Sequence, residues 1–185
     1  SRHPITRNRK EGFFAVKLAI NEATTMNASF REDIESYARA GFKAVELWLE
    51  KVAEYADRNS LGQARSLLSD NGIEAVSGCF ETGIMLSTGP KKEEALDGLK
   101  RKLEICEALG VPVLIVCPDT PEEELAAGHY DRAAEGLAEA GEIAGQFGVS
   151  LAIEFIQGHP FVGCAATAGE LAGKTGRENI GILFD

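Results

Sequence analysis

The residues best suited to chemistry are two acids that close apolar strands. Val149-Ser150-Leu151-Ala152-Ile153-Glu154 reads as a buried strand with a carboxylate at its C-terminal end, and the loop Gln157-Gly158-His159-Pro160 follows soon after. Ile180-Gly181-Ile182-Leu183-Phe184-Asp185 repeats the pattern and stops on an acid. A carboxylate in such a place is costly to bury unless it is paired, hydrogen-bonded or bound to a metal. Corresponding positions on successive strands predict one site shared by Glu154 and Asp185. The plainer reading is a pair of strand-end acids that cap the next helix or face solvent.

Alternating strands and helices must carry these acids. The predicted strands are Phe13 to Asn21, Lys43 to Leu49, Ile73 to Phe80, Pro112 to Cys117, the Glu154 strand and the Asp185 strand. Ser29-Phe30-Arg31-Glu32 and Ser60-Leu61-Gly62-Gln63 have the capping pattern that opens helices. Pro90 begins a long helix that ends at Leu109, and an Ala-rich helix runs from about Tyr130 to Phe147. Thr167-Ala168-Gly169-Glu170 is expected to cap one more. Gly41, Gly72, Gly110 and Gly148 each stop a helix directly before a strand, an internal repeat of the joint. Strict strand–helix alternation with short returns means a parallel sheet built by right-handed crossovers.

Side-chain alternation indicates what closes the sheet. In the first, second, fifth and sixth strands one face is apolar: Val16, Leu18, Ile20; Val45, Leu47, Leu49; Leu151, Ile153, Phe155; Ile180, Ile182, Phe184. The other is small or polar: Lys17, Ala19, Asn21; Ala44, Glu46, Trp48; Ser150, Ala152, Glu154; Gly181, Leu183, Asp185. An open sheet between two helix layers should be apolar on both faces. The asymmetry predicts a barrel interior with functional groups at its C-terminal mouth. The expected fold class is therefore α/β, a (β/α)8 TIM barrel of which this chain supplies about six βα units. Such a barrel takes about 250 residues and eight strands, so a C-terminally truncated fragment is expected.

Composition narrows the functions. The 185 residues carry a formal net charge of -10, which disfavours tight binding to nucleic-acid phosphates and to anionic membranes. No apolar run is long enough for a transmembrane helix. Cys79, Cys106, Cys117 and Cys164 form no C-x-x-C pair, so neither a zinc knuckle nor a redox motif is indicated. Free thiols in a reducing cytoplasm are expected. Residues 1–12 read as a flexible lead-in.

Ile20-Asn21-Glu22-Ala23-Thr24-Thr25, Ala40-Gly41-Phe42-Lys43-Ala44-Val45-Glu46-Leu47-Trp48, Leu151-Ala152-Ile153-Glu154-Phe155-Ile156-Gln157-Gly158-His159-Pro160 and Glu178-Asn179-Ile180-Gly181-Ile182-Leu183-Phe184-Asp185 stand in order and at matching spacing. Together they resemble the xylose-isomerase-like TIM barrels, the sugar phosphate isomerase/epimerase superfamily, and most closely the inosose (2-keto-myo-inositol) isomerase type. The resemblance covers residues 13–185, which are expected to form a partial barrel of this kind. It implies one divalent metal ion held by a strand-five Glu, a strand-six Asp, a strand-seven His and a strand-eight Glu. Glu154 and Asp185 match the first two. Hard oxygen ligands with one imidazole suit Mn2+, Mg2+, Co2+ or Zn2+.

The implied function is isomerisation or epimerisation of a small sugar- or cyclitol-derived hydroxy-ketone by enediolate proton transfer. Glu154 is the expected catalytic acid/base as well as a metal ligand. Substrate-binding candidates are Asn21, Glu46, Trp48 and His159. Each has an ordinary alternative: Asn21 as a turn residue, Glu46 in an interior ion pair with Lys17, Trp48 as packing, His159 as a loop residue. The Glu81–Pro90 loop reads equally as a lid or as an apolar anchor. A metal-dependent dehydratase is the alternative on the same scaffold, and a non-catalytic truncated barrel acting as a binding module is another. A nucleotide-binding Rossmann domain is disfavoured, since no glycine fingerprint follows the first strand. Three scattered histidines and the acidic charge argue against an apurinic endonuclease. The expected partner is a small-molecule ketone, with no nucleic acid or membrane; homo-oligomerisation is left open.

Overall fold

The computed structural model describes residues 17–184. Six strands form one parallel sheet in sequential order: β1 (Ile20–Asn21), β2 (Ala44–Trp48), β3 (Glu74–Glu81), β4 (Val113–Val116), β5 (Ser150–Glu154) and β6 (Ile180–Leu183). The helices are α1 (Phe30–Ala40), α2 (Leu49–Arg58), α3 (Leu61–Asp70), α4 (Gly89–Leu109), α5 (Ala127–Gln146) and α6 (Ala165–Lys174), and a 3-10 turn, Glu22–Thr25, follows β1. Unbroken sequential order is what a barrel requires, because an open doubly wound sheet reverses direction from its first strand. The repeat glycines Gly41, Gly72, Gly110 and Gly148 all have positive φ, between 64 and 91°. Each lets the chain leave a helix and enter the next strand without a Cβ clash.

The aliphatic faces of β2, β4 and β5 pack against the helices. Val45, Leu47, Leu114, Val116, Leu151 and Ile153 are buried in one core with Ile34, Val52, Leu99, Leu103, Leu137 and Leu171 of the helices. The opposite face keeps Asn21, Glu46, Ser77, Cys117 and Glu154. Ser29 caps α1 in a complete capping box with Glu32, as its sequence pattern predicts.

Four expectations are corrected. Leu49 belongs to α2 rather than to the second strand; Leu49, Val52, Ala53 and Ala56 recur at helical spacing and turn one face inward. The first strand is short. Lys17 to Ala19 are exposed and outside the ladder, since β1 pairs only through Ile20 and Asn21, while residues 13–16 lie outside the described residues. Lys17 pairs with the exposed Glu74 rather than with Glu46, because it stands at the N-terminal end of the sheet beside the start of β3. Finally, α6 starts at Ala165 with Cys164 as its cap residue, so Thr167 lies inside the helix.

Candidate active site

Strand register gathers the interior polar groups into rows. Asn21 stands opposite Glu46, and Glu46 opposite Ser77. Glu46 accepts from the Asn21 amide on one oxygen and from Ser77 Oγ on the other at 2.6 Å. Both carboxylate oxygens are thus held, so Glu46 is a fixed acceptor that orients Asn21. One row nearer the mouth, Trp48 faces Cys79 and sets its ring edge-on to Phe80 at 5.3 Å. Lys102 of α4 holds that pair from behind: its Nζ donates to the Phe80 carbonyl at 2.5 Å and lies 5.6 Å from the Phe80 ring centroid.

Glu154 ends β5 on the interior face and is half-buried. Its one hydrogen bond among the described residues comes from the Cys117 thiol, 3.2 Å from Oε2. Burial, followed by the hydrogen bond to Glu154 and its charge, pushes Cys117 up to about 12, so the thiol is a neutral donor and not a nucleophile. Burial likewise pushes Cys79 up to about 12. Among the described residues Oε1 of Glu154 has no hydrogen bond and no cation pairs with the carboxylate. A half-buried carboxylate with a free oxygen is a fitting donor for a hard metal ion. No group of three or more His, Cys, Asp and Glu able to hold a metal occurs among the described residues. Asp185, the second expected ligand, lies outside them.

His159 turns inward on its own loop. Its Nδ1 accepts the backbone N–H groups of Phe161 and Val162 at 3.2 and 3.3 Å, which leaves the proton on Nε2, 3.5 Å from Thr120 Oγ1. The histidine therefore links the β5–α6 loop to the β4–α5 loop. Asn21 and Glu46 are joined; no hydrogen bond among the described residues connects them to Glu154, Trp48 or His159.

Three further features escaped the sequence reading. Asp119, buried after β4, accepts from the amides of Gly83 (2.5 Å), Met85 (2.9 Å) and Leu86 (2.7 Å) and from Thr82 Oγ1 (3.2 Å). It ties down the 82–86 loop, whose Ile84 and Met85 are buried in the core. That loop is an apolar anchor, not a lid. Above it opens a cavity of about 610 Å³ lined by Thr82, Asp119, Thr120, His129 and Arg132. Beneath the turn after β1 lies a buried cluster of Glu22, Thr25, Asp33, Tyr37 and Lys51. The signal for Cys117 was available, because it follows β4 one residue past the Val116–Ile153 pair and must meet Glu154.

Residues 34–185 match the family described as xylose isomerase-like TIM barrel. The chain belongs to that family. Among curated relatives of this xylose isomerase-like barrel, an inosose isomerase of Halalkalibacterium halodurans is 30% identical over 177 residues. One of Bacillus velezensis is 28% identical over 177. Each alignment spans 92% of this chain and 62% of the relative, so the chain covers less than two thirds of their length. Among solved structures, the IolI protein with a binding zinc atom superposes with a TM-score of 0.79 at 24% identity, over 90% of this chain and 62% of that one. D-psicose 3-epimerase in the presence of D-fructose superposes with a TM-score of 0.73 at 22% identity, over the same shares. At that identity the two superpositions bear on fold alone.

Proposed function

We propose that this barrel serves a divalent-metal-dependent isomerase or epimerase of a small sugar- or cyclitol-derived hydroxy-ketone, with an inosose as the leading substrate. The observation that carries the reading is Glu154, whose carboxylate has a neutral thiol as its only partner among the described residues. Such a carboxylate is free to take the proton from the carbon beside a carbonyl and return it on the neighbouring carbon. Cys117 steers one of its oxygens and leaves the other open. Asn21 donates from Nδ2 to Glu46 and accepts the Ala23 N–H on Oδ1 at 2.7 Å, which leaves one amide N–H for a substrate hydroxyl; Trp48 supplies an apolar wall for a ring, and Nε2–H of His159 is a donor at the rim. Glu154 and Asp185 would be among the ligands of a divalent ion, which would supply Lewis-acid stabilisation of negative charge on the substrate oxygens. Donor chemistry alone allows Mn2+, Mg2+, Co2+ or Zn2+. No helix of the described residues is long and apolar enough to cross a membrane, and a cytoplasmic enzyme of small-molecule metabolism, without nucleic-acid or membrane partners, is part of the proposal.

The test is solvent exchange. In D2O, 2-keto-myo-inositol is expected to gain deuterium beside its carbonyl with the wild-type protein. Glu154→Gln should slow this roughly 10²–10⁴-fold with an unchanged circular dichroism spectrum. Unaltered exchange by Glu154→Gln sinks the catalytic role, and full activity in EDTA-treated, metal-free protein sinks the metal role.

A further inference from the structure

Glu22 opens the 3-10 turn after β1 and is fully buried, with 0% of its surface exposed. Its Oε2 accepts the backbone N–H of Trp48 at 2.7 Å, whereas Oε1 has no hydrogen-bond partner among the described residues. The groups packed around it are titratable. Asp33 and Tyr37 face it from α1, Lys51 from α2 and Cys79 from β3. Lys51 is the one cation among these and has nothing left to offer. Its ammonium donates to the Glu22 carbonyl at 3.3 Å, the Thr25 carbonyl at 2.9 Å and Asp33 Oδ2 at 2.6 Å, which uses all three protons.

Trp48 stands where β2 passes into α2. Its indole is half-buried against Phe80 and lines, with Lys51 and Tyr55, a cavity of about 570 Å³. We propose that Glu22 is the positioning residue of Trp48: its carboxyl group holds the backbone at the end of β2, and its change of charge moves the buried turn and the indole with it. This rests on the reading of Trp48 as a wall of the substrate pocket. Ionisation would place a negative charge on a buried oxygen that no donor of the described residues reaches, next to the like charge of Asp33. Relief requires drawing Lys51 from one of its acceptors or admitting water, and either movement displaces the turn bonded to Trp48. Burial, reinforced by Asp33 and opposed by the Trp48 N–H and Lys51, pushes Glu22 up to about 8. Tyr37 and Cys79, each pushed up to about 12, stay protonated through that change.

Trp48 is the single tryptophan of the 185 residues, so its emission reports on this position alone. In ligand-free protein, Trp48 emission and its backbone amide shift are expected to titrate together with a midpoint near 8, the value to which Glu22 is pushed. Glu22→Gln keeps an acceptor for the Trp48 N–H and cannot ionise, and should abolish the transition. A transition retained in Glu22→Gln overturns the proposal. So does a Trp48 amide that fails to titrate in wild-type protein, a measurement that needs no variant to fold. The dissociation constant for 2-keto-myo-inositol, measured roughly 1.5 pH units either side of the midpoint, should differ about fivefold or more between the two and stay level in Glu22→Gln. A level constant in wild type while Trp48 titrates overturns the positioning role. A ketone that binds at neither pH, with the Trp48 titration present, removes the pocket reading and leaves the Glu22–Trp48 coupling standing.

Discussion

Glu22 has a consequence for stability as well as for Trp48. Its carboxyl is pushed from the ordinary 4.5 up to about 8 in the folded chain. Between those values the folded protein keeps a proton that the unfolded chain has released. The stability contributed by protonated Glu22 is therefore fully present below about 4.5 and is lost as pH rises through about 8. Urea denaturation across that window should show wild-type stability falling by up to ~1.4 kcal/mol per pH unit, with a shallower slope in Glu22→Gln. Parallel slopes for the two proteins would refute this. At this scale Glu154 was legible, because strand alternation alone places it on the polar face near the mouth. Glu22 was not. Asn21-Glu22-Ala23-Thr24-Thr25 looks like a polar turn, and its burial arises only when α1 and α2 close over it. The Lys17–Glu46 pair failed for a related reason: alternation gives the face a side chain shares but not its height along the barrel, and Lys17 lies level with Glu74.

At the scale of elements, helix starts and stops were mostly readable from capping residues and glycines, because those signals are local. The missed α2 shows the limit. Leu49 continues the apolar run of β2, and only the recurrence of Val52, Ala53 and Ala56 marks the switch from a period of two to one of 3.6. The 82–86 loop shows a second limit, since the amides of Gly83, Met85 and Leu86 are satisfied by Asp119, 33 to 36 residues away in sequence. This anchor also explains Gly136 inside α5. A Cβ there would stand 2.2 Å from the Ile84 carbonyl oxygen, so the close approach of loop and helix depends on its absence. An Ala in a helix interior normally stabilises by about 1 kcal/mol relative to Gly. Here Gly136→Ala is expected to destabilise by ~1–3 kcal/mol through overpacking, read as a lower urea midpoint. An unchanged or raised midpoint would show that the loop yields without cost.

Across the molecule, β1 and β6 each have one strand neighbour among the described residues. Large apolar side chains stand open beside them: Leu18 is 76% exposed, Phe184 78% and Ile182 40%. Phe184 finds partial cover edge-on against Phe155, ring centroids 5.6 Å apart. Unpaired parallel edges with exposed apolar residues favour association with other chains. The 185-residue chain is expected to self-associate at roughly 10–100 μM, and the double change Leu18→Lys with Phe184→Lys to shift it toward monomer in sedimentation velocity. Equal sedimentation of both proteins would place any association elsewhere.

By itself the sequence determined the parallel α/β class, the division into an apolar helix-facing side and a polar interior side, and the standing of Glu154 as the acid to test. Each follows from periods of a few residues and from caps that act within one turn, so each is written locally. Tertiary structure decided what depends on packing between distant segments. It set the row that joins Asn21, Glu46 and Ser77, the thiol that steers Glu154, and the aspartate that anchors the 82–86 loop. Above all it buried Glu22 with a lysine whose protons are already taken. No local pattern encodes that, because burial and the count of available donors exist only once helices and strands have closed around a group.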